Sequence, residues 1–260
     1  MKLFICLILF ALHQLCYCLE IGTVEEPPGN FIGKNGNIDG LSVDFVKEIQ
    51  RRVGDNTPIQ MLPGARLVHY SLTNPDFVVF SLSRTESRED NYHWISLVMR
   101  KPLVLFTKRD SGLNIRNLED AKNIDSIGVI KTSVHHNFLL ENEFPNIVTI
   151  PSHEQNFKML MAGRISIMYY SMVGAAMLCK DYNIDFNELE PVLMLQVVNS
   201  SIAMSKNSDP VIVKAWQDAA KEIKGDGTFD KLAQKWLLFT EEYTGIPCEI
   251  KDGALNFWRE

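Results

Sequence analysis

The sequence predicts an α/β protein made of two β-α-β sets separated by a linker. Two observations carry this. Short apolar runs, rich in β-branched and aromatic residues, alternate with stretches whose apolar residues recur at helical spacing. The alternation stops after Phe80 and begins again at Ile127, which argues for a second unit of the same class.

Residues 19–24 read as an opening strand, broken by Pro27-Pro28-Gly29-Asn30 and followed by turn chemistry at Lys34-Asn35-Gly36-Asn37. An amphipathic helix is predicted over 41–53. Leu41, Phe45, Ile49 and Val53 recur every fourth residue, Asp44, Lys47, Glu48, Arg51 and Arg52 face solvent, and Gly54 closes the helix. A strand at 59–62, a short helix from Pro63 to Leu72 and a strand at 77–80 complete the first set. After Lys101-Pro102 comes a strand at 103–106, then a polar, turn-rich stretch over 108–114, then a short helix capped at 117–120. The second set follows, with strands at 127–130, 147–150 and 165–170 and helices at 134–142, 153–162 and 172–182. Residues 193–198 run back toward the first unit, where 202–204 resumes it. Helices over 211–223 and 228–238 are separated by Gly225-Asp226-Gly227, and the tail from Thr244 has no clear period.

The first 18 residues read as a signal peptide, with Lys2 at the start, an apolar run over 3–12 and a cleavage point after Cys18. His13-Gln14 interrupts the run too early for a spanning helix, which needs about 20 apolar residues. Removal of this segment leaves Cys179 and Cys248, too few for a disulfide scaffold; two free or buried thiols are expected. The formal net charge is -6, and no arginine-rich run or basic patch is present, which argues against a nucleic-acid partner. With 46 % hydrophobic residues, the rest of the chain can bury a sizeable core.

One stretch points to chemistry. Ser81-Leu82-Ser83-Arg84-Thr85-Glu86-Ser87-Arg88 follows a buried strand with hydroxyls, free amides and arginines, a combination that suits a planar carboxylate. The plainer reading is a solvated turn in which Arg84 and Arg88 meet Glu86, Glu89 and Asp90.

Six pieces, in order and at family spacing, resemble the family 3 periplasmic solute-binding proteins. They are Ile21-Gly22-Thr23, Asp39-Gly40-Leu41-Ser42-Val43-Asp44, the stretch from Ser83 to Arg88, Ile127-Gly128-Val129, Ala162-Gly163-Arg164-Ile165, and Gly225-Asp226-Gly227-Thr228-Phe229 leading to Lys235-Trp236. The resemblance implies a two-lobed periplasmic binding protein type II fold, two βαβ lobes joined by two crossing strands. Its first lobe would be residues 19–100 with 195–260, and its inserted second lobe 101–194. It implies a non-enzymatic periplasmic protein, with no cofactor or metal, that closes on a small carboxylate-bearing solute and delivers it to an ABC transporter permease. A monomer is expected.

Carried over by position, Arg88 would clamp the ligand carboxylate, with Ser81 and Ser83 beside it. Thr132 and Ser133 would offer hydroxyls and amides at a helix start. Ser133 also reads as that helix's cap. Three departures stand out. Ser171 occupies the place of the acid that pairs the ligand ammonium. The loop Glu25-Glu26-Pro27-Pro28-Gly29 lacks the stacking aromatic, and Gly64 replaces another. Glu25 or Glu26 would then supply the missing charge, with at least one of them solvent-exposed. Arg66, if it enters the cleft, makes a dicarboxylate or other anion the ligand. Tyr169 and Tyr170 fall on opposite strand faces. Two other readings are a dehydratase of the same fold, with Glu26 and His135 as its candidate groups, and a sensory module without transport. His135-His136 is expected to be a solvated pair rather than a metal site.

Overall fold

Residues 19–33 and 35–259 are described by a computed structural model; the expected signal peptide, residues 1–18, lies outside them. Strand β1 (Glu20–Thr23) leads to a small hairpin of β2 (Phe31–Ile32) and β3 (Ile38–Asp39). Helix α1 (Leu41–Val53) has the bounds its periodicity predicts, buries Leu41, Phe45, Val46 and Ile49, and ends at Gly54 in the left-handed conformation (φ 73°). Then come β4 (Ile59–Met61), α2 (Gly64–Thr73) and β5 (Phe77–Arg84), and a 3-10 segment, Glu86–Asn91.

The next strand, β6 (Tyr92–Lys108), is 17 residues long, far beyond the predicted 103–106. It is followed by α3 (Leu118–Lys122), β7 (Ile127–Ile130), α4 (Val134–Glu141), β8 (Ile147–Ile150), α5 (His153–Met161), β9 (Ile167–Ser171) and α6 (Met172–Asp181). A second 17-residue strand, β10 (Leu189–Ser205), joins the two predicted fragments 193–198 and 202–204. Helices α7 (Pro210–Gly225) and α8 (Thr228–Thr244) follow, and the tail forms a hairpin of β11 (Glu249–Lys251) and β12 (Ala254–Asn256) that the sequence did not signal.

The sheet runs β4-β1-β5-β10-β6-β9-β7-β8. β1 pairs in parallel with β4 and β5, and β7 in parallel with β8 and β9. Between these halves β6 and β10 cross together, antiparallel from Leu189↔Lys108 to Ser205↔Tyr92. Strand β12 lies beside β6 at Met99 and Arg100, and β9 takes over at Leu103. Lys101 and Pro102 between them have a neighbouring strand only on the β10 side, so a proline is tolerated where one edge of the strand is open.

Each half has its own core. Ile21, Phe45, Phe80, Trp216 and Phe229 pack beneath α1, α7 and α8. In the other half, Leu105, Ile127, Val129 and Tyr169 pack on one sheet face, and Phe106, Phe157, Met168 and Tyr170 on the other. Tyr169 and Tyr170 therefore take opposite faces, as alternation requires. Cys179 and Cys248 are free and buried, and burial pushes both thiols up to about 12. Among the described residues no helix is long and apolar enough to cross a membrane.

Candidate functional site

The carboxyl ends of β1, β5, β7 and β8 open on one cleft of about 530 Å³, a size suited to a small molecule. Its walls come from both halves of the sheet. Ser81, Leu82, Ser83 and Arg88 line it together with residues 130–135, 151–154 and Tyr170.

Strand β5 stays regular to Phe80 and then bulges against β10 between Ser201 and Ala203. There Ser81 adopts φ 57°, in the left-handed region, as a bulge that re-aims a side chain requires. Its hydroxyl donates to Asn30 Oδ1 and lies 3.3 Å from Ser42 Oγ. Asn30 is fully buried and also donates to the Val24 carbonyl, so it ties the first loop to this strand end. Arg84 turns outward, paired with Glu89 and lying 5.1 Å from the Trp94 ring. Arg88 turns inward. One nitrogen donates to the Ser83 carbonyl at 3.1 Å, and the half-buried guanidinium has no acidic partner among the described residues. Burial lowers its pKa, and the charge of Glu141 offsets only part of that loss of hydration.

Across the cleft, Thr132 holds φ 63°, strained for a β-branched residue, and its hydroxyl donates to the Lys131 carbonyl at 2.6 Å. Ser133 caps α4 by accepting from the His136 amide at 3.2 Å. Both line the cleft.

Glu26 lines the cleft too, but Lys101 holds it at 2.7 Å, the two side chains being 12 % and 5 % exposed. Beside this pair, His153 stacks on Tyr170 (3.7 Å, 21°), and His135 stands edge-on to Tyr169 at 4.9 Å. Burial pushes both imidazoles down to about 3, so the 3.8 Å contact between Glu26 and His153 is no ion pair at neutral pH. His135 is therefore a correction. It is a buried neutral ring, not half of a solvated pair, because α4 turns it under the cleft against Tyr169. Both its nitrogens are sealed from solvent without partners.

Glu25 also lines the cleft and is exposed, and Glu154 and Asp181, lining the same cleft, are the carboxylates whose charge acts on it. Lost hydration, then repulsion from these two, raises its pKa. Glu154 is engaged by Lys158 at 2.6 Å and by the Tyr182 hydroxyl, and Asp181 accepts from the Tyr243 hydroxyl at 2.6 Å. Among the described residues no group of three or more His, Cys, Asp or Glu is placed to hold a metal.

Two expected residues stand apart from the cleft. Arg66 is exposed on α2, whose buried face carries Leu67 and Ser71, and helical phase turns Arg66 outward. Ser171 is fully buried, and its hydroxyl accepts from the Gly174 amide at 3.2 Å as the cap of α6. His153, Glu154, Asp181 and Tyr182 line the cleft without having been anticipated. Pro151-Ser152-His153-Glu154 carries the same signal as the Ser81–Arg88 stretch, polar residues directly after a strand.

A family model described as bacterial extracellular solute-binding proteins, family 3, matches residues 19–239. The chain belongs to this family. This family 3 protein is 22 % identical over 212 residues to the L-cystine-binding protein TcyJ of Escherichia coli (strain K12), covering 81 % of this chain and 78 % of that one. It is 24 % identical over 235 residues to the histidine-binding periplasmic protein of the same strain, with 85 % and 88 % covered. Among solved structures, it superposes on a histidine kinase sensor domain with similarity to periplasmic binding proteins. That TM-score is 0.76 at 18 % identity, with 85 % of this chain and 96 % of that chain covered. The architecture is thus the two-lobed type II fold of periplasmic binding proteins.

The buried imidazoles give a pH test. Between pH 6.5 and about 3 the unfolded chain protonates His135 and His153 while the folded chain does not, so stability falls as pH drops through this window. Replacing His135 by leucine is expected to flatten the fall in melting temperature between pH 7 and pH 4.5. An unchanged slope would show that His135 takes up its proton in the folded state.

Proposed function

We propose that this family 3 protein is an exported, non-enzymatic, monomeric binding protein that captures an amino acid or a related small carboxylate between two lobes and delivers it to an ABC importer. Residues 19–100 and 195–260 form one lobe and 101–194 the other, with β6 and β10 as the hinge. The observation that carries the reading is Arg88, a half-buried guanidinium with no acidic partner among the described residues, lining a cleft walled by both halves of the sheet. A planar fork with unused donors suits a carboxylate, and Ser81, Ser83, Thr132 and Ser133 surround the position such a group would take. Closure then follows from the ligand's preference for the form in which both lobes touch it. Arg66 points away, which removes the argument for a dicarboxylate, and the acidic end at Glu25, Glu154 and Asp181 disfavours a second anionic group.

Neither candidate group for a dehydratase role is free. Glu26 is held by Lys101, and the His135 nitrogens are sealed. The test is a thermal-shift screen of the chain from residue 19 against the twenty L-amino acids, dicarboxylates and opines. A cognate ligand at a hundredfold excess over its Kd is expected to add about 2.7 kcal/mol of stability. A screen in which no carboxylate raises the melting temperature would overturn the reading. Delivery to an importer is supported if a permease and an ATPase are encoded beside the gene.

A further inference from the structure

Binding an amino acid requires a seat for its ammonium group, and the position after β9 does not provide one. Ser171 is buried and used as a helix cap. The neighbouring Tyr170 is differently placed. Its side chain is 1 % exposed, lines the cleft, and is fixed on two sides. His153 stacks on one face. On the other side, α6 approaches so closely that a Cβ on Gly174 would meet the ring at 2.5 Å. Glycine at 174 thus leaves the room the ring occupies.

The Tyr170 hydroxyl has no hydrogen-bond partner among the described residues, and the residue lines the cleft. Glu26 and Glu25 are the carboxylates whose charge acts on it. Glu26 is already neutralised by Lys101. Glu25 has no cationic partner among the described residues and faces two further carboxylates from the opposite lobe, Glu154 and Asp181. Bringing the lobes together concentrates negative charge there, which a positive group on the ligand would relieve.

We propose that Glu25 and Tyr170 together form the seat for the ammonium group of the ligand, replacing an acid at position 171. The carboxylate of Glu25 supplies the charge from one lobe. The Tyr170 oxygen accepts a hydrogen bond from the other, and the ring, held by His153 and α6, fixes where that oxygen sits. This inference rests on the binding reading above, with Arg88 taking the opposite end of the same molecule.

The test compares each L-amino acid that binds with its α-hydroxy acid, in which a hydroxyl replaces the ammonium, by isothermal titration calorimetry. The wild type is expected to prefer the amino acid by on the order of 10- to 100-fold, the strength of a hydrogen bond to a charged group. Glu25→Gln should reduce that preference to a few-fold, and Tyr170→Phe should reduce it partially. Ser171→Ala should leave it unchanged. Equal affinity of the wild type for both compounds, or an unchanged preference in Glu25→Gln, would overturn the inference while leaving the Arg88 reading intact. A drop in Ser171→Ala as large as that in Glu25→Gln would overturn it as well. Failure of every L-amino acid to bind the wild type would overturn both. Glu25 is exposed, so its variant folds and decides the question even if Tyr170→Phe does not.

Discussion

Arg88→Ala is expected to abolish binding of whatever ligand the wild-type protein takes, at a cost of about 3–5 kcal/mol, the loss typical when one partner of a buried ion pair is removed. The ligand carboxylate would lose its counter-charge after being taken out of water, and nothing nearby replaces it. Lys131 also lines the cleft but is exposed. The variant should bind nothing yet remain folded. In the unliganded protein the guanidinium is an unpaired, partly desolvated cation held by the Ser83 carbonyl, so its removal should leave the melting temperature unchanged or raised. Calorimetry and a thermal melt on the same sample separate the two effects. Arg88→Lys should recover only part of the affinity, because a point charge cannot make two parallel bonds to a carboxylate. Arg84→Ala is the control. Its guanidinium is exposed and paired with Glu89, so binding and stability should change by less than about 1 kcal/mol. If Arg88→Ala left affinity intact, the carboxylate seat would lie elsewhere.

Much of the fold was legible in the sequence because most elements are governed by local period. The bounds of α1 and β7 come out as their patterns predict, and Gly54 marks the end of α1 by its conformation as well as its chemistry. The two crossing strands were not legible. Each contains a proline, Pro102 or Pro191, and each passes from one core to another, so neither carries a single alternating pattern over its 17 residues. What reads as several short segments is one strand whose environment changes along its length. The tail hairpin was hidden for another reason. Its three-residue strands are too short to show a period, and β12 is fixed by pairing with β6, more than 150 residues earlier in the chain.

The site divides in the same way. Arg88, Ser81 and Ser83 were accessible from sequence because they follow a strand directly, and strand ends set position without long-range information. Ser171 also follows a strand, but its hydroxyl has a nearer use as the cap of α6, and that local bond withdraws it from the cleft. For Arg66, one helical step from Leu67 decides between core and solvent. Glu25, Glu154 and Asp181 line the same cleft, and their bearing on one another depends on how the two halves of the sheet face one another. No spacing in a single sequence encodes that.

The second large effect is expected at Lys101. Its ammonium is held between two halves of the structure, on crossing strand β6 and against Glu26 of the first loop, with almost no exposure to water. Lys101→Met leaves the Glu26 carboxylate buried without its partner and should destabilise the protein by about 3–5 kcal/mol, measured as a shift in the urea midpoint with unchanged slope. Adding Glu26→Gln to the same chain should recover much of that loss, because a neutral amide needs no counter-charge. The double-mutant cycle isolates the coupling between the two side chains. The same pair shapes recognition. With Lys101 present, Glu26 is engaged by the crossing strand, and Glu25 is left as the free acid of the first loop. Without Lys101, a second carboxylate becomes available to a positive ligand at the same place. Lys101→Met is therefore expected to weaken folding while making the cleft more tolerant of cationic compounds, and Lys101→Met with Glu26→Gln should undo both changes together. A loss of stability that Glu26→Gln does not relieve would mean that the lysine acts through packing of its stem rather than through its charge.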